Sequence, residues 1–394
     1  MKITKVDILH CNTKLKGGVW RPILIRIYTD AGIYGDGEAA LAYGEAQFAA
    51  VGIVRNFAKL ILGMDPLDHE IIWDKLYRTT FWGQNGGPVI NAGISAIDIA
   101  LWDIKGKFFN VPVYKLLGGK RRKSLRTYAS QLQFGWQIEE RGAMRTPEDY
   151  AREARKAVAE GYDAVKVDFF QIHPEEGKHY TDLDRLGLLK QEYIHVIEER
   201  VKAVRDAVGP DVDIIAENHS ATDAQSSIQI ARAIEKYNIF YFEEPTTPTP
   251  QLCKYVQEEI HIPVANGERI YTRWQYAPYF QENALQIIQP DVGTCGGITE
   301  IKKICDMAYT YDVGVQVHAC GSPICTAAAL QIECVIPNFV IHEHHTYATS
   351  PYNRELCKYD YQPENGQYYI PDLPGIGNEI SELAFSRADI ITIE

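Results

Sequence analysis

The chain has 394 residues, of which 46% are apolar and 23% charged, so it is long enough for two domains and can bury a large core. Its formal net charge of −12 argues against nucleic acids and anionic membranes as partners, and its short basic run, Lys120 to Lys123, follows two glycines and fits a solvated linker. The chain opens into a strand pattern without a signal peptide, has no apolar run of membrane-spanning length, and its eight cysteines form no Cys-x-x-Cys pair, which together predict a cytoplasmic location.

Residues 1–125 predict a small α+β domain. Two strand patterns, Ile3 to His10 and Ile23 to Thr29, are followed by a Gly-rich stretch from Asp30 to Glu38 that predicts a turn. Three stretches then show helical periodicity: Glu45 to Ile61, Asp68 to Arg78 and Gly93 to Phe108. Strands that precede the helices, rather than alternate with them, are typical of the α+β class.

From Arg126 onwards, short apolar runs alternate with helical segments. The apolar runs end near eight positions: Ala129, Asp168, Glu217, Glu243, Glu268, Asp291, His318 and Glu343. Helical patterns lie between them, including Glu148 to Glu160, Glu192 to Ala207, Ala224 to Lys236 and Thr299 to Tyr309. Eight such units predict a (β/α)8 barrel over residues 126–355, and the apolar alternation near the end predicts that residues 356–394 return to the first domain. The two longest loops, Gln131 to Pro147 and Gln171 to Leu189, are candidates for substrate specificity.

Three successive strands are predicted to end in glutamate, at Glu217, Glu243 and Glu268, and the next two end at Asp291 and His318. The carboxyl ends of barrel strands meet at one mouth, so these side chains should share one site. A single strand-end glutamate is more often a helix cap, but caps alone do not explain three in succession followed by Asp and His. Three carboxylates form an oxygen-rich site that suits a divalent cation, most simply Mg²⁺.

Several longer motifs extend this pattern. They are Tyr241 to Pro245, Gly267 to Arg269, Gln286 to Glu300, Ser95 to Lys107, Pro112 to Gly119 and Thr29 to Glu38. In these runs the chain resembles the enolase superfamily and, within it, the mandelate racemase-like branch. The resemblance covers nearly the whole chain and is strongest to acid-sugar dehydratases of the galactonate type.

The resemblance implies an N-terminal capping domain on a modified barrel, with loops near Lys14 to Arg21 and Trp82 to Gly87 closing the mouth. It also implies one Mg²⁺ per subunit, held by Glu217, Glu243 and Glu268, that binds a substrate carboxylate. The residues expected to contact the substrate are Arg21, Trp82, Gln84 and Arg269.

The base that removes the proton next to this carboxylate decides the reaction. His318 is the first candidate, with Asp291 on the preceding strand holding its ring, as the resemblance also implies. Many relatives carry Lys-x-Lys on the second strand, whereas this chain has Lys166-Val167-Asp168. Asp in place of the second lysine argues against a lysine-based racemase. It leaves Lys166 as a charge-balancing group and the role of Asp168 open.

The third strand reads Glu217-Asn218-His219, and strand alternation predicts that His219 points into the mouth beside Glu217. This run resembles the Asp-x-His of acid-sugar dehydratases, in which the histidine is the acid for the departing hydroxyl. Glutamate is one methylene longer than the usual aspartate. The expected reaction converts a sugar acid, an aldonate or aldarate, through an enediolate to a 2-keto-3-deoxy acid.

On the eighth strand, the resemblance implies that Glu343 contacts the substrate carboxylate. Its neighbours His342, His344 and His345 invite a second metal site, but alternation divides them between two faces.

Other functions remain open at this point. An epimerase or racemase, or a lactone cycloisomerase, would use the same enediolate, and a non-catalytic sugar-acid-binding regulator could retain the scaffold. A metal-dependent hydrolase is disfavoured because the first strand, Thr127 to Ser130, lacks His-x-His. The expected partners are a small sugar acid and further copies of the chain in a homo-oligomer, without nucleic acid or membrane.

Overall fold

The computed structural model describes residues 1–13, 20–137 and 144–394. The strands, numbered in chain order, are β1 Ile3–Cys11, β2 Ile23–Thr29, β3 Tyr34–Ala39, β4 Ser124–Ser130, β5 Ala164–Asp168, β6 Asp213–Glu217, β7 Ile239–Glu243, β8 Val264–Asn266, β9 Ile287–Ile288, β10 Gly314–Val315, β11 His342–His345, β12 Gln367–Tyr369 and β13 Ala388–Ile393. The helices are α1 Ala46–Ile61, α2 His69–Thr79, α3 Pro88–Phe108, α4 Val113–Leu116, α5 Pro147–Ala159, α6 Asp182–Arg185, α7 Gln191–Val208, α8 Ala224–Ile234, α9 Pro250–Glu259, α10 Thr272–Gln281, α11 Gly297–Thr310, α12 Pro323–Glu333, α13 Pro351–Arg354 and α14 Glu382–Arg387.

Four antiparallel strands in the order β13-β1-β2-β3 form the sheet of the capping domain, with α1 and α3 packed against it. Its C-terminal strand β13 pairs with the first strand, so both ends of the chain meet in this sheet. Helix α3 begins five residues before the predicted start and is buried along most of its length.

The third strand of this sheet corrects the sequence prediction, which placed a turn from Asp30 to Glu38. The turn is confined to the start of that stretch, and β3 runs from Tyr34 to Ala39. Gly35 and Gly37 are needed for packing: a Cβ on Gly37 would lie 2.0 Å from the carbonyl oxygen of Ala96, and one on Gly35 would lie 2.1 Å from that of Ala100. Glycine here permits close strand–helix contact, which a sequence pattern cannot separate from turn formation.

The larger domain is a modified (β/α)8 barrel, as predicted. Its parallel strands run in the order β10-β9-β8-β7-β6-β5-β4-β11, and a bridge between Val315 and Phe339 joins the two ends of this path. β12 adds an antiparallel partner to β4. β8, β9 and β10 are only two or three residues long, so Glu268, Asp291 and His318 lie two or three residues past the regular strands. A parallel bridge between Asp291 and His318 keeps these two extensions in register.

Buried polar contacts join the two domains. Glu38 of β3 accepts hydrogen bonds from the backbone N–H groups of Ser322 and Cys325 at the start of α12, where the helix dipole favours a carboxylate. Asp98 of α3 accepts hydrogen bonds from the backbone and side chain of Thr299. Among the described helices, none is long and apolar enough to cross a membrane.

Replacing Gly37 by alanine should push β3 away from α3. We expect Gly37→Ala to lower the free energy of unfolding by about 3 kcal/mol, because overpacking against backbone cannot relax by a rotamer change. Urea denaturation followed by circular dichroism measures the effect. Gly52→Ala is the matched control: Gly52 is exposed in α1 and a Cβ there would have no atom within 4 Å, so alanine should stabilise by about 0.5–1 kcal/mol. Equal midpoints for wild type and Gly37→Ala would contradict this packing argument.

Asp98 should make stability depend on pH. Burial raises the pKa of Asp98 from 3.8 to about 7, although its bonds to Thr299 oppose the shift. The folded protein therefore holds a proton that the unfolded chain releases, and this stability is lost as the pH rises from about 4 to about 7.

We expect Asp98→Asn, which cannot ionise, to gain stability relative to wild type across that window. Urea midpoints measured at several pH values test this expectation. The exposed Asp312→Asn, at a left-handed position that asparagine tolerates, is the control. Parallel pH curves for wild type and Asp98→Asn would show that Asp98 is not the group responsible.

Candidate active site

Neighbouring strands bring the predicted carboxylates together at the barrel mouth. In the parallel register, Asp168 pairs with Glu217, and Glu217 pairs with Glu243, so three acidic residues end three adjacent strands. All three are at least 97% buried. Burial of several like charges requires nearby cations, which the same strands supply.

Lys166 supplies the central positive charge. Its Nζ lies 2.6 Å from Oε1 of Glu243, 3.0 Å from Oε2 of Glu217 and 3.0 Å from Oε1 of Glu343. The ammonium is almost completely buried, and although burial opposes its charge, the surrounding glutamates raise the pKa of Lys166 well above its usual value. The predicted charge-balancing contact of Lys166 with the carboxylates is therefore present.

One lysine does not neutralise all of these carboxylates. Burial and the negative charge of Glu217 raise the pKa of Glu243 well above its usual range. Burial also opposes ionisation of Glu217, but the charges of His219 and Lys166 outweigh it and lower the pKa of Glu217 to about 2. Oε2 of Glu243 has no hydrogen-bond partner among the described residues. This unpaired buried oxygen beside a second carboxylate fits an additional cation.

Glu268 pairs with cations other than Lys166. Its Oε2 is 3.0 Å from Nε2 of His318, and its Oε1 is 2.7 Å from a guanidinium nitrogen of Arg269, which also pairs with the buried Glu244. Glu217 and Glu243 thus contact Lys166, and Glu268 contacts other cations. The three carboxylates do not converge on one position. Within the described ranges, no three His, Cys, Asp or Glu side chains are arranged to hold an ion.

His318 and Asp291 form the predicted pair. Nδ1 of His318 lies 2.7 Å from Oδ2 of Asp291, whose other oxygen accepts a hydrogen bond from the backbone N–H of Gly293. Burial opposes protonation, but Glu268 and Asp291 raise the pKa of His318 well above its usual value. Because Asp291 holds Nδ1, Nε2 is the ring nitrogen that faces the mouth.

His219 reaches the mouth by a route that differs from the prediction. β6 ends at Glu217, and His219 has a left-handed backbone (φ 48°), so strand alternation does not set its direction. Its backbone N–H donates to Oε1 of Glu217, and its Nδ1 lies 2.8 Å from Oδ2 of Asp168. Burial opposes the charged ring, but Glu217 and Asp168 together raise the pKa of His219 to about 9. Asp168 thereby holds a second histidine–carboxylate pair.

Sequence reasoning missed four polar residues around these groups. Ser130 donates to Oε1 of Glu343 (2.6 Å), and Gln131 and Gln171 contact His219. Gln133 accepts a hydrogen bond from the backbone N–H of Asp168. All four lie at or just beyond the ends of β4 and β5. The same strand-end argument would have found them if uncharged amides and hydroxyls had been included.

The capping-domain residues are placed less directly. Lys14 to Val19 of the first predicted loop lie outside the described residues, and the guanidinium of Arg21 at its end binds Asp389 and the carbonyl groups of His10 and Cys11. The structure therefore does not bring Arg21 to the carboxylate group. The second loop contacts α10: Gln275 donates to Asn85 and to the Gly86 carbonyl group. Trp82 and Gln84 are exposed on this loop.

The three histidines of β11 lie in different surroundings. His342 binds Glu333 (2.5 Å), and His344 packs between aromatic rings that include Tyr368. His345 accepts a hydrogen bond from the backbone N–H of Tyr347. Burial lowers the pKa of both His344 and His345 to about 3. These separate environments fit structural roles rather than a second metal site.

Comparison with known proteins places this arrangement in a family. The enolase C-terminal domain-like model matches residues 149–384, and the N-terminal domain model of mandelate racemase / muconate lactonizing enzyme matches residues 19–118. The D-xylonate dehydratase of Haloferax volcanii is 32% identical over 378 residues, which cover 95% of this chain and 87% of that protein. The D-galactonate dehydratase of Ralstonia nicotianae is 32% identical over 390 residues, or 97% and 93% of the two chains.

Among solved structures, a putative dehydratase from Zymomonas mobilis superposes with a TM-score of 0.97 at 53% identity, covering 100% of this chain and 99% of that one. The match therefore extends through both domains and includes the strands that carry the carboxylates and histidines. The chain belongs to the mandelate racemase / muconate lactonizing enzyme branch of the enolase superfamily.

Proposed function

We propose that the protein is a hydro-lyase that dehydrates a sugar acid, an aldonate or aldarate, to a 2-keto-3-deoxy acid. The observation that carries the proposal is the pair of histidine–carboxylate dyads, His318–Asp291 and His219–Asp168. The two histidines follow β6 and β10, which are the third and seventh strands of the eight-stranded barrel. They therefore approach the mouth from opposite sides. The dehydratase names of the relatives support a sugar acid as substrate.

His318 acts as the base in this mechanism. For this step Nε2 must be unprotonated and free of its contact with Glu268. It then takes the proton from C2, while Asp291 holds Nδ1 and stabilises the imidazolium that forms. The electron pair left on C2 passes into the carboxyl group, giving an enediolate. Arg269 and Lys166 contribute positive charge near this group.

His219 acts as the acid on the opposite side. Its Nε2 gives a proton to the 3-hydroxyl as the C3–O bond breaks, so water leaves and the enol formed becomes the 2-keto acid. Asp168 keeps Nδ1 as a donor and so directs Nε2 towards the substrate. With Asp168 in place of a second lysine, this strand supports a histidine instead of supplying an amine base.

Glu217, Glu243 and Glu268 would hold one Mg²⁺ per subunit. When bound, the ion would supply the positive charge that attracts the substrate carboxylate and stabilises the enediolate formed when C2 loses its proton. Glu343 is less suited to contact that carboxylate. It accepts hydrogen bonds from Ser130 and from the Ala319 backbone, and the charges of Lys166 and His318 lower its pKa despite burial. An ionised Glu343 orients Lys166 and the loop after His318.

The two histidines should be separable by isotope exchange. We expect wild-type enzyme with Mg²⁺ to form 2-keto acid, detected as its semicarbazone, from at least one member of a sugar-acid collection. His318→Asn should lower both elimination and exchange of the C2 proton in D₂O by about 10²–10⁴-fold, because the base is missing. His219→Asn should lose elimination to a similar degree but retain exchange, because only the acid is missing.

The exposed His195→Asn is the control for these variants and should behave as wild type. Formation of a C2 epimer without keto acid would assign His219 as a second base and the protein as an epimerase. Absence of any reaction or exchange with every acid would overturn the enzymatic proposal and favour a binding function.

Metal binding should be visible without activity. We expect Mg²⁺ to stabilise the wild-type protein by about 2.7 kcal/mol at a free concentration one hundred times Kd, since the ion binds the folded state. Glu243→Gln should lose most of this gain, measured by thermal unfolding with and without Mg²⁺. Glu300→Gln is the control, because Glu300 is also buried but pairs with Arg273 instead of with the cations that contact the three glutamates. Equal Mg²⁺ responses in the two variants would contradict the assignment of Glu243.

A further inference from the structure

Both ring nitrogens of His219 already have partners. Nδ1 contacts Oδ2 of Asp168 at 2.8 Å and Nε2 of Gln171 at 3.3 Å. On the other side of the ring, Nε2 of Gln131 lies 3.2 Å from Nε2 of His219. A substrate hydroxyl can therefore meet this histidine only if one of these partners moves.

The Asp168 side is held firmly. Asp168 is buried, its Oδ1 accepts a hydrogen bond from the backbone N–H of Phe170 (2.9 Å), and its Oδ2 accepts one from Gln171 (2.5 Å). Displacing Asp168 from Nδ1 would leave a buried carboxylate without its imidazole partner, which is strongly unfavourable. Gln131 is uncharged, so its displacement costs far less. Gln131 is accordingly the partner that is more easily displaced.

The orientation of the Gln131 amide is set by a short relay. The backbone N–H of Asp168 can only donate, and it donates to Oε1 of Gln133 at 3.2 Å. Gln133 must then present its NH₂ group, which donates to Oε1 of Gln131. Gln131 in turn presents its own NH₂ group to Nε2 of His219, where it can donate only while that nitrogen carries no proton. The relay starts at the backbone N–H of Asp168 and finishes at the ring of His219. The Asp168–His219 pair therefore orients the Gln131 amide, and that amide in turn contacts the histidine ring of the pair.

The backbone at Gln131 also matches this role. Gln131 directly follows β4 and has a left-handed conformation (φ 65°), which is uncommon for a residue other than glycine, asparagine or aspartate. The strained turn aims a buried side chain from the first strand across the mouth towards the third. Strain retained at a strand end in a barrel mouth is typical of a functional position.

We propose that Gln131 is a specificity-determining residue for the sugar acid. In the resting enzyme its amide occupies the place of the hydroxyl that leaves. When the substrate displaces it, the freed NH₂ group donates to the hydroxyl on the next carbon, while Gln133 keeps the amide in orientation. The acids that fit would carry adjacent hydroxyls with one relative configuration. This role rests on the proposed dehydration.

The relay can be tested without substrate. In protein labelled with ¹⁵N-histidine, the His219 ring signals are identified by their loss in His219→Asn. We expect Gln131→Asn to shift them, because the shorter side chain withdraws the amide while asparagine tolerates the left-handed backbone. Gln133 contacts Gln131 and has no bond to the His219 ring. Gln133→Ala should therefore shift the His219 signals only through its effect on Gln131. Gln137→Ala is the matched control, since Gln137 lies on the same loop but binds Glu160.

Kinetics test the specificity. For the acid that reacts best and its epimer at the carbon next to C3, we expect Gln131→Asn to reduce the ratio of the two kcat/KM values at least about tenfold. Gln137→Ala should leave this ratio unchanged. The change should be carried mainly by KM for the better acid, because the base and the acid stay in place.

Unshifted His219 signals in Gln131→Asn, or shifted signals with an unchanged epimer ratio, would overturn the role of Gln131 alone. Absence of keto acid from the wild-type enzyme would overturn the proposed function and this role together.

Discussion

The buried ammonium group of Lys166 is the interaction on which the barrel mouth depends. Three carboxylates from three other strands lie within 3.0 Å of it, and all four groups are almost fully removed from water. Without the lysine, this concentration of like charge would not be tolerated in a folded core. A single positive charge against several negative charges still leaves an excess of negative potential. Burial, together with that excess, raises the pKa of Glu243. The same excess makes the site suitable for a divalent cation.

The same electrostatic balance organises the two histidines. Each has Nδ1 bound to a buried carboxylate, so Nε2, which contacts Glu268 in His318 and Gln131 in His219, is the nitrogen that a substrate would reach by replacing that contact. Asp168 at the end of the second barrel strand is paired with His219, which follows the third barrel strand. The two residues therefore have to be considered together. Where Lys-x-Lys would place a second lysine on this strand, Asp168 instead holds the imidazole of His219. Proton transfer at two carbons of one substrate needs such groups on opposite sides.

The sequence predicted the fold and the positions of the chemistry better than it predicted their local geometry. The barrel prediction is confirmed. Eight strand-length runs separated by helical segments left few alternatives. Strand β3 was missed because Gly35 and Gly37 read as turn residues, although their purpose is to let a helix approach. The predicted path of His219 was wrong because strand alternation was continued two residues past Glu217, where the strand had been predicted to end and does end. The glutamine relay was not predicted because the strand-end argument considered charged side chains and histidines, and the amides of Gln131 and Gln133 carry no charge.

Strand β3, which the sequence analysis did not predict, also helps to position the site. Glu38 of β3 accepts the N–H groups that open α12, directly after the loop that carries His318. Two residues on, the backbone N–H of Ala40 donates to the carbonyl group of Gly293, whose own N–H binds Asp291. Both members of the base dyad are thus anchored to one strand of the capping domain. The close packing of Gly35 and Gly37 against α3 sets the position of that strand, so two residues without side chains help to determine where the imidazole of His318, the proposed base, lies.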